Sequence, residues 1–408
     1  DLDAGVFAYA KAGFGDYLGF ISAFGFWASA CVGNVTYWVL IKSTLGPIVP
    51  AFGEGGTIAA VAVSSVGIWA FHYMILRGVK QAAGINKIVT IAKLVPLLVF
   101  VVLAAVALKA DVFSANLWGG DNRSAGALFE QVKATMLVTV FVFLGVEGAA
   151  VYSRYARKRE DVGKATVLGF LGVLLLFSAV SILSYGILLR PELSELRQPS
   201  VAGVLESAVG TWGLVFISVG LIISVLGAYL AWTLMAAEVV FITSKSKDMP
   251  TALTRTNDRE VPAAALIMTS ALVQVVLLTT LFSEDAFTFT LKLCSALSLV
   301  PYLLAAGYAL KLGIRRETYD VVHPERRGRE MLIAGLATFY TTFLIFAAGL
   351  KFLLLGFIIY APGTFLFIKA RREQGLRVFK PAERVLFIVA ILGAIVGVAG
   401  LAAGWITI

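Results

Sequence analysis

Four ionisable residues lie deep in apolar stretches of the sequence and are the first candidates for chemistry: Lys93, Glu147, Glu238 and Lys292. A charge at the centre of a membrane helix costs about 3 kcal/mol or more unless it faces a polar interior. Each residue is therefore a candidate for binding or coupling. Structural ion pairs, or lysines that extend to the membrane surface, are the alternatives for Lys93, Glu238 and Lys292.

Glu147 stands between Gly145 and Gly148 in the stretch "FLGVEGAA". Two glycines within four residues weaken a helix and favour an unwound turn whose backbone groups become available. Broken helices at the bilayer midplane bind charged ligands, because their carbonyls attract cations and their helix N-termini attract anions. The alternative is close helix packing through small residues, with a paired glutamate.

Two uncharged residues extend this candidate site. Trp232, in "VLGAYLAWTLMAAE", could pack its indole face on the aliphatic or cationic part of a ligand, or simply fill the core. Asn34, in "FWASACVGNVTYW", offers an amide on a helix of small side chains that includes Ser29 and Ala30. Those small residues indicate either ligand space or close helix packing, and the sequence leaves both open.

The composition indicates the solvent around these residues. Of the 408 residues, 59% are hydrophobic and 14% are charged, whereas soluble domains carry roughly a quarter charged residues. Long apolar runs recur throughout and predict an all-α polytopic membrane protein. The net charge of +9 is spread over short loops without a nucleic-acid motif. Cys31 and Cys294 match neither a metal nor a disulfide pattern.

The apolar pattern predicts about eleven helices, and the cations of alternate loops predict their orientation. Basic residues concentrate in one set of loops, which should therefore face the cytoplasm. The chain forms one transmembrane domain. The predicted helices are 17–44, 57–77, 86–108, 131–153, 164–188, 211–243, 261–282, 286–311, 331–349, 351–370 and 384–406.

Several motifs in order resemble the basic amino acid/polyamine antiporter branch of the amino acid–polyamine–organocation (APC) superfamily, and most of all its bacterial arginine/ornithine antiporters. These motifs are "FGDYLGFISAFGFWASACVGN", "FLGVEGAAV", "LGAYLAWTLMAAE" followed by "DMP", and "SLVPYLLAAGYAL". The resemblance implies the leucine-transporter-type fold, in which two inverted five-helix repeats surround unwound first and sixth helices. Residues 1–108 would be the remainder of the first repeat, 131–311 the second repeat and 331–408 the C-terminal helices.

The glycine-rich first helix of that fold does not occur in these residues. The chain is therefore expected to begin after the second helix of the family, and to be truncated at its N-terminus relative to it.

The resemblance also implies roles around the sixth-helix break. An aromatic gate would stand at Phe141, where the arginine/agmatine antiporter has a tryptophan. Backbone carbonyls near Phe141 and Leu144, beside Gly145, would bind the substrate α-amino group. Glu147 matches a family glutamate, and we assign it to gating or coupling.

Further roles follow from the other motifs. Asn34 would lie near the substrate guanidinium, with Ser29 and Ala30 on neighbouring substrate-facing positions, and Trp232 would pack on the aliphatic part. Lys93 matches a lysine that proton-coupled relatives place at a vacated sodium site. Glu238 would serve as an inner gate or pair with a basic residue.

The function implied is exchange of extracellular L-arginine for intracellular L-ornithine by alternating access in the cell membrane. No cofactor or nucleic acid is expected, and the family often forms homodimers. A lysine permease, an arginine/agmatine or lysine/cadaverine exchanger and a proton-coupled symporter are alternatives of the same class. A channel and a membrane enzyme are less favoured, because the sequence has no repeated filter and no catalytic constellation.

Overall fold

The computed structural model describes residues 6–78, 82–118, 124–146, 159–317 and 326–408. Within these ranges the secondary structure is helical, and short 3-10 turns cover Pro50–Phe52, Thr251–Thr254 and Thr280–Phe282. The α-helices are α1 (Val6–Phe14), α2 (Asp16–Leu45), α3 (Ile58–Leu76), α4 (Ala82–Ala107), α5 (Ala110–Asn116), α6 (Ala125–Phe143), α7 (Arg159–Ser184), α8 (Arg190–Glu195), α9 (Ser200–Val209), α10 (Thr211–Lys245), α11 (Ala263–Thr279), α12 (Ala286–Arg315), α13 (Arg327–Glu373) and α14 (Pro381–Ala402).

Ten helices of the described chain are long and apolar enough to cross a membrane, which confirms the all-α polytopic class. The difference from the eleven predicted helices lies in α13, which joins the predicted helices 331–349 and 351–370. The helix breaks at Gly349, whose φ of 78° and ψ of 168° are not helical. Glycine adopts a positive φ without the steric cost that a Cβ imposes. The prediction of two separate helices at this point is therefore confirmed.

Some helix boundaries differ from the predicted ones. Helix α6 ends at Phe143, next to the predicted break at Gly145, and residues 147–153 of the predicted helix 131–153 lie outside the described ranges. Helix α7 covers Arg159–Ser184 instead of 164–188. The short helices α1, α5, α8 and α9 were also missed. They contain between 6 and 10 residues, so none produces the long apolar run on which the prediction depended.

Helix α2 forms the centre of the bundle. In its most apolar window, 89% of the residues are buried, against 44% or less in the other spans. It packs against α1, α10, α11, α12 and α13. Small residues let membrane helices approach closely, and α2 carries many of them. The candidate residues Ser29, Ala30 and Asn34 therefore lie where several helices meet.

One such contact joins α2 to the second half of α13. The Phe24 ring packs directly on Gly363, and the Tyr360 hydroxyl packs on Gly25. The same hydroxyl donates to the Leu297 carbonyl of α12 at 3.1 Å. A side chain at Gly363 would overlap the Phe24 ring, so this contact fixes the distance between the two helices.

Gly363→Leu is expected to destabilise the protein by more than the 1–3 kcal/mol typical of overpacking, because α2 has no room to move away. The measurement is the thermal unfolding temperature of the purified protein in detergent, which should fall by several degrees. Gly169→Leu is the matched control, because Gly169 is also helical and no described heavy atom would lie within 4 Å of its Cβ. Equal shifts in the two variants would contradict the packing argument.

Two of the predicted cation-rich loops meet at one end of the bundle, beside the beginning of α2. The Lys11 Nζ lies 2.6 Å from an Asp248 carboxylate oxygen, and Arg371 donates to Asp16 at 3.2 Å. The Gln374 amide donates to the Lys247 carbonyl at 2.7 Å. These contacts join α1 and the beginning of α2 to the ends of α10 and α13. The assignment of this end to the cytoplasm stays a prediction.

Candidate substrate site

The site is built around the end of α6. Helical hydrogen bonding gives way there to tighter turns, since Leu144 N–H donates to the Phe141 carbonyl at 3.2 Å and Val146 N–H to the Phe143 carbonyl at 3.4 Å. Leu144 has a ψ of 134°, and Gly145 has a φ of 104°. The break predicted at Gly145 is therefore present. Glu147 lies outside the described residues.

A buried serine fixes this break against α12. The Ser295 hydroxyl is close to both the Leu137 carbonyl of α6, at 2.6 Å, and the Leu291 carbonyl of its own helix, at 3.0 Å. Leu137 lies about two turns before the helix ends, so its anchoring sets where the unwound turn falls. The fully buried hydroxyl has a structural role that the sequence did not suggest.

Asn34 lies fully buried on α2 and faces α10. Its Nδ2 donates to the Thr233 hydroxyl at 3.0 Å, and that hydroxyl donates to the Tyr229 carbonyl at 2.7 Å. The Asn34 Oδ1 has no hydrogen-bond donor among the described residues. An unsatisfied buried acceptor costs about 1–3 kcal/mol. This oxygen is therefore suited to accept a hydrogen bond from a cationic ligand.

Trp232 of α10 lies next to the unwound turn at Gly145. A Cβ built on Gly145 would lie 3.4 Å from Trp232 Cζ2, which is ordinary van der Waals contact. The Trp232 ring is half-buried and its centroid is 6.3 Å from that of Phe26. Tyr37 also interacts with Trp232. One end of the indole thus reaches the unwound turn, and the adjacent Thr233 contacts Asn34.

Phe141 closes a third side of the same region. Its ring packs edge-on against Tyr37, with centroids 6.5 Å apart. It also approaches Gly33 of α2, since a Cβ there would lie 3.9 Å from Phe141 Cε2 and 3.1 Å from Cys294 Sγ. Gly33 therefore keeps the space between α2, α6 and α12 free of side-chain atoms.

Ser29 and Ala30 are both buried on α2. The Ser29 hydroxyl donates to the Cys294 carbonyl at 3.1 Å and contacts the Ser298 hydroxyl. Because these partners belong to α12, Ser29 helps to hold α2 against that helix. Its contribution to ligand binding stays a prediction, as does that of Ala30.

The structure brings one subset of the predicted residues together and leaves another apart. Phe141, Gly145, Asn34 and Trp232 converge at the junction of α2, α6 and α10, with Leu144 within the turn itself. Glu238 is half-buried on α10, six residues beyond Trp232, or about 9 Å along the helix axis.

Lys93 is exposed on α4. Pro96, one turn further along α4, packs against Gly220 of α10. The coupling roles of Lys93, Glu147 and Glu238 remain predictions.

Three neighbours of the site were missed in the sequence. Tyr37 could have been found, because it lies three residues after Asn34 and shares its helix face. Thr233 gave no signal, since it follows Trp232 directly and points to a different side. Cys294 was noted only as a cysteine that matches neither a metal nor a disulfide pattern, and the structure buries its thiol beside Gly33.

Comparisons with known proteins fit this architecture. Residues 2–354 match the amino acid permease family model. The chain is 48% identical to the arginine/ornithine antiporter of Pseudomonas aeruginosa, covering 100% of this chain and 86% of that protein. It is 39% identical to an arginine/ornithine antiporter of Latilactobacillus sakei, over 97% of this chain and 82% of the relative.

A third relative is the L-lysine transport protein of Corynebacterium glutamicum. It is 38% identical, over 99% of this chain and 83% of the relative. The family match covers most of the chain, and all three relatives span nearly all of it. The chain belongs to the amino acid permease family of the APC superfamily.

Proposed function

We propose that this protein exchanges extracellular L-arginine for intracellular L-ornithine by alternating access across the cell membrane. The observation that carries the proposal is the buried Asn34 Oδ1, which has no donor among the described residues. Asn34 contacts Thr233 of α10, and the neighbouring Trp232 lies against the Gly145 turn. Two arginine/ornithine antiporters among the relatives support this substrate pair.

The geometry suggests how a cationic amino acid is held. The α-amino group binds backbone carbonyls at the unwound turn near Phe141 and Leu144. The aliphatic stem packs on Trp232, whose ring face also attracts a cation. The terminal guanidinium or ammonium group donates to Asn34 Oδ1. An acidic partner is not needed, because carbonyls, an amide and an aromatic face together replace the water around the cation.

Alternating access requires the unwound turn to change conformation as the substrate site opens first to one membrane face and then to the other. Gly145 supplies the hinge, because its backbone already lies outside the region that other residues favour. The Phe141 and Tyr37 rings form a gate on one side of the substrate. We assign Glu147, Glu238 and Lys93 to gating or coupling. We also infer that the cation-rich loops face the cytoplasm, and that transport involves neither a cofactor nor enzymatic turnover.

A second candidate function is transport of lysine, because the relative from Corynebacterium glutamicum is named an L-lysine transport protein. Arginine/agmatine exchange, lysine/cadaverine exchange and proton symport belong to the same class. Substrates that differ by one methylene are discriminated by only about 1–3 kcal/mol in an apolar pocket. The side-chain arrangement therefore supports a cationic amino acid as the substrate but does not discriminate arginine from lysine or ornithine.

Counterflow in proteoliposomes tests the proposal. Vesicles preloaded with ornithine should accumulate labelled external arginine, whereas empty vesicles and vesicles preloaded with agmatine or cadaverine should not. Both substrates carry one net positive charge, so an imposed membrane potential should leave the exchange rate unchanged. Uptake into empty vesicles driven by a pH gradient would instead identify a proton symporter. Exchange of lysine at a higher rate than arginine would favour the lysine carrier.

A further inference from the structure

An apolar cavity lies between α12 and the two halves of α13, and none of the candidate site residues lines it. It has a volume of about 420 Å³, counting the open space at its mouth. Small and aliphatic side chains dominate its wall, and Leu353, which also lines it, is 40% exposed. The cavity therefore opens on the surface of the bundle that faces lipid. Its wall includes Ala296, Val300, Ile345, Ala348, Phe352 and Gly356.

Two lysines stand at one end of this cavity. Lys292 precedes Ala296 by one turn of α12, and Lys351 lies between the lining residues Ala348 and Phe352. Their charges are close enough to repel each other. The Lys351 Nζ is 5.6 Å from the centre of the Phe352 ring, so it sits near the wall of the cavity.

The depth of the lysines matches the headgroup region of a bilayer. Lys351 follows the break at Gly349 by two residues, and Lys292 is six residues into α12, or about 9 Å at 1.5 Å per residue. The break at Gly349 and the first residue of α12 lie at the same end of the bundle. Below them, the cavity follows α13 from Phe352 to Tyr360, which is about 12 Å toward the membrane centre.

The lysine pair has no balancing charge in the part of the chain that the structure describes. Neither ammonium lies within 4.0 Å of a described carboxylate. Two neighbouring cations of this kind attract an anion with several oxygens, as basic pockets between transmembrane helices do for lipid headgroups. Covering the cavity with a second copy through a two-fold contact would instead bring four lysines together.

We propose that Lys292, Lys351 and the cavity beneath them form a binding site for one anionic phospholipid. The phosphate bridges the two ammonium groups, and an acyl chain fills the cavity between α12 and α13. Specificity for anionic lipid comes from the lysine pair, whereas the apolar wall supplies part of the affinity by burying methylene groups of the acyl chain. This site is independent of the substrate proposed above.

The test is native mass spectrometry of the purified full chain in detergent, with phosphatidylglycerol and phosphatidylcholine of identical acyl chains. The wild type should retain one phosphatidylglycerol at concentrations where phosphatidylcholine is lost. The variant Lys292→Gln/Lys351→Gln should raise the apparent Kd for phosphatidylglycerol at least tenfold. Lys109→Gln is the matched control, because this exposed lysine follows another span and should leave retention unchanged.

A second variant tests the cavity separately from the charges. Ala296→Phe fills the space but keeps both lysines, and it should also lose phosphatidylglycerol while eluting as the wild type does in size-exclusion chromatography. Four results would overturn the proposal: equal retention of the two lipids, undiminished retention by the double lysine variant, complete displacement by inorganic phosphate, which would identify a site for a free anion only, or a dimer that retains no lipid.

Discussion

Trp232→Ala is expected to raise the arginine concentration for half-maximal exchange about thirtyfold. The change removes the aromatic face that packs on the substrate stem and its attraction for the cation. We estimate the combined loss at about 2 kcal/mol, and each 1.4 kcal/mol corresponds to a factor of ten in affinity. Because the indole is only half-buried and lies against the unwound turn at Gly145, expression and thermal stability should change little.

The measurement is the concentration dependence of labelled arginine uptake into ornithine-loaded vesicles. Trp212→Ala is the matched control, since Trp212 stands on the same helix and is 54% exposed. Trp232→Phe keeps a smaller aromatic face and should recover part of the affinity. Unchanged half-saturation in Trp232→Ala would remove this residue from the pocket, and with it the assigned position of the substrate stem.

Gly145→Ala is expected to lower the maximal exchange rate by at least tenfold. At Gly145 the backbone has a φ of 104°, a conformation that L-residues with a Cβ disfavour by about 1–2 kcal/mol. The added methyl group itself meets Trp232 Cζ2 at only 3.4 Å, so the conflict lies in the backbone. The alanine therefore favours continuation of α6 into the turn, which removes the carbonyls offered to the substrate.

Initial exchange rates per amount of reconstituted protein measure this effect, alongside the thermal unfolding temperature. Gly172→Ala is the control, because Gly172 lies within α7 with no described heavy atom near its Cβ position. Alanine in a helix interior is favoured over glycine, so that variant should be neutral or slightly more stable. A Gly145→Ala protein with normal exchange would show that the unwound turn has no part in transport.

Local features of the fold could be predicted from the sequence because they depend on neighbouring residues. The end of α6 at the Gly145 turn follows from two close glycines, and the return of α13 at Gly349 follows from a gap in the apolar pattern. The central packing of α2 was not predicted. Its apolar residues surround the whole helix, and burial on all sides gives no periodicity that could indicate its neighbours.

The sequence indicated individual residues of the candidate site but not the contacts between them. Motifs singled out Asn34 and Trp232, yet the hydrogen bond from Asn34 to Thr233 joins residues that are 199 positions apart in the sequence. No spacing rule relates such positions, and only the packing of α2 against α10 creates the pair. For Lys93 the sequence indicated a buried charge, because the residue lies in an apolar run. The structure instead places Lys93 on an exposed face of α4.

The central position of α2 also bears on how the protein is made. This helix is synthesised before several of its partners, which follow much later in the chain: Thr233 for Asn34, Thr269 for Trp27 and the Cys294 carbonyl for Ser29. Until the ribosome has produced those residues, the polar groups of α2 have no bonds to them. Its mean hydropathy of 1.4 is also among the lowest of the ten spans. Insertion of α2 therefore has to be supported by the insertion machinery or by early neighbouring helices until the later helices arrive.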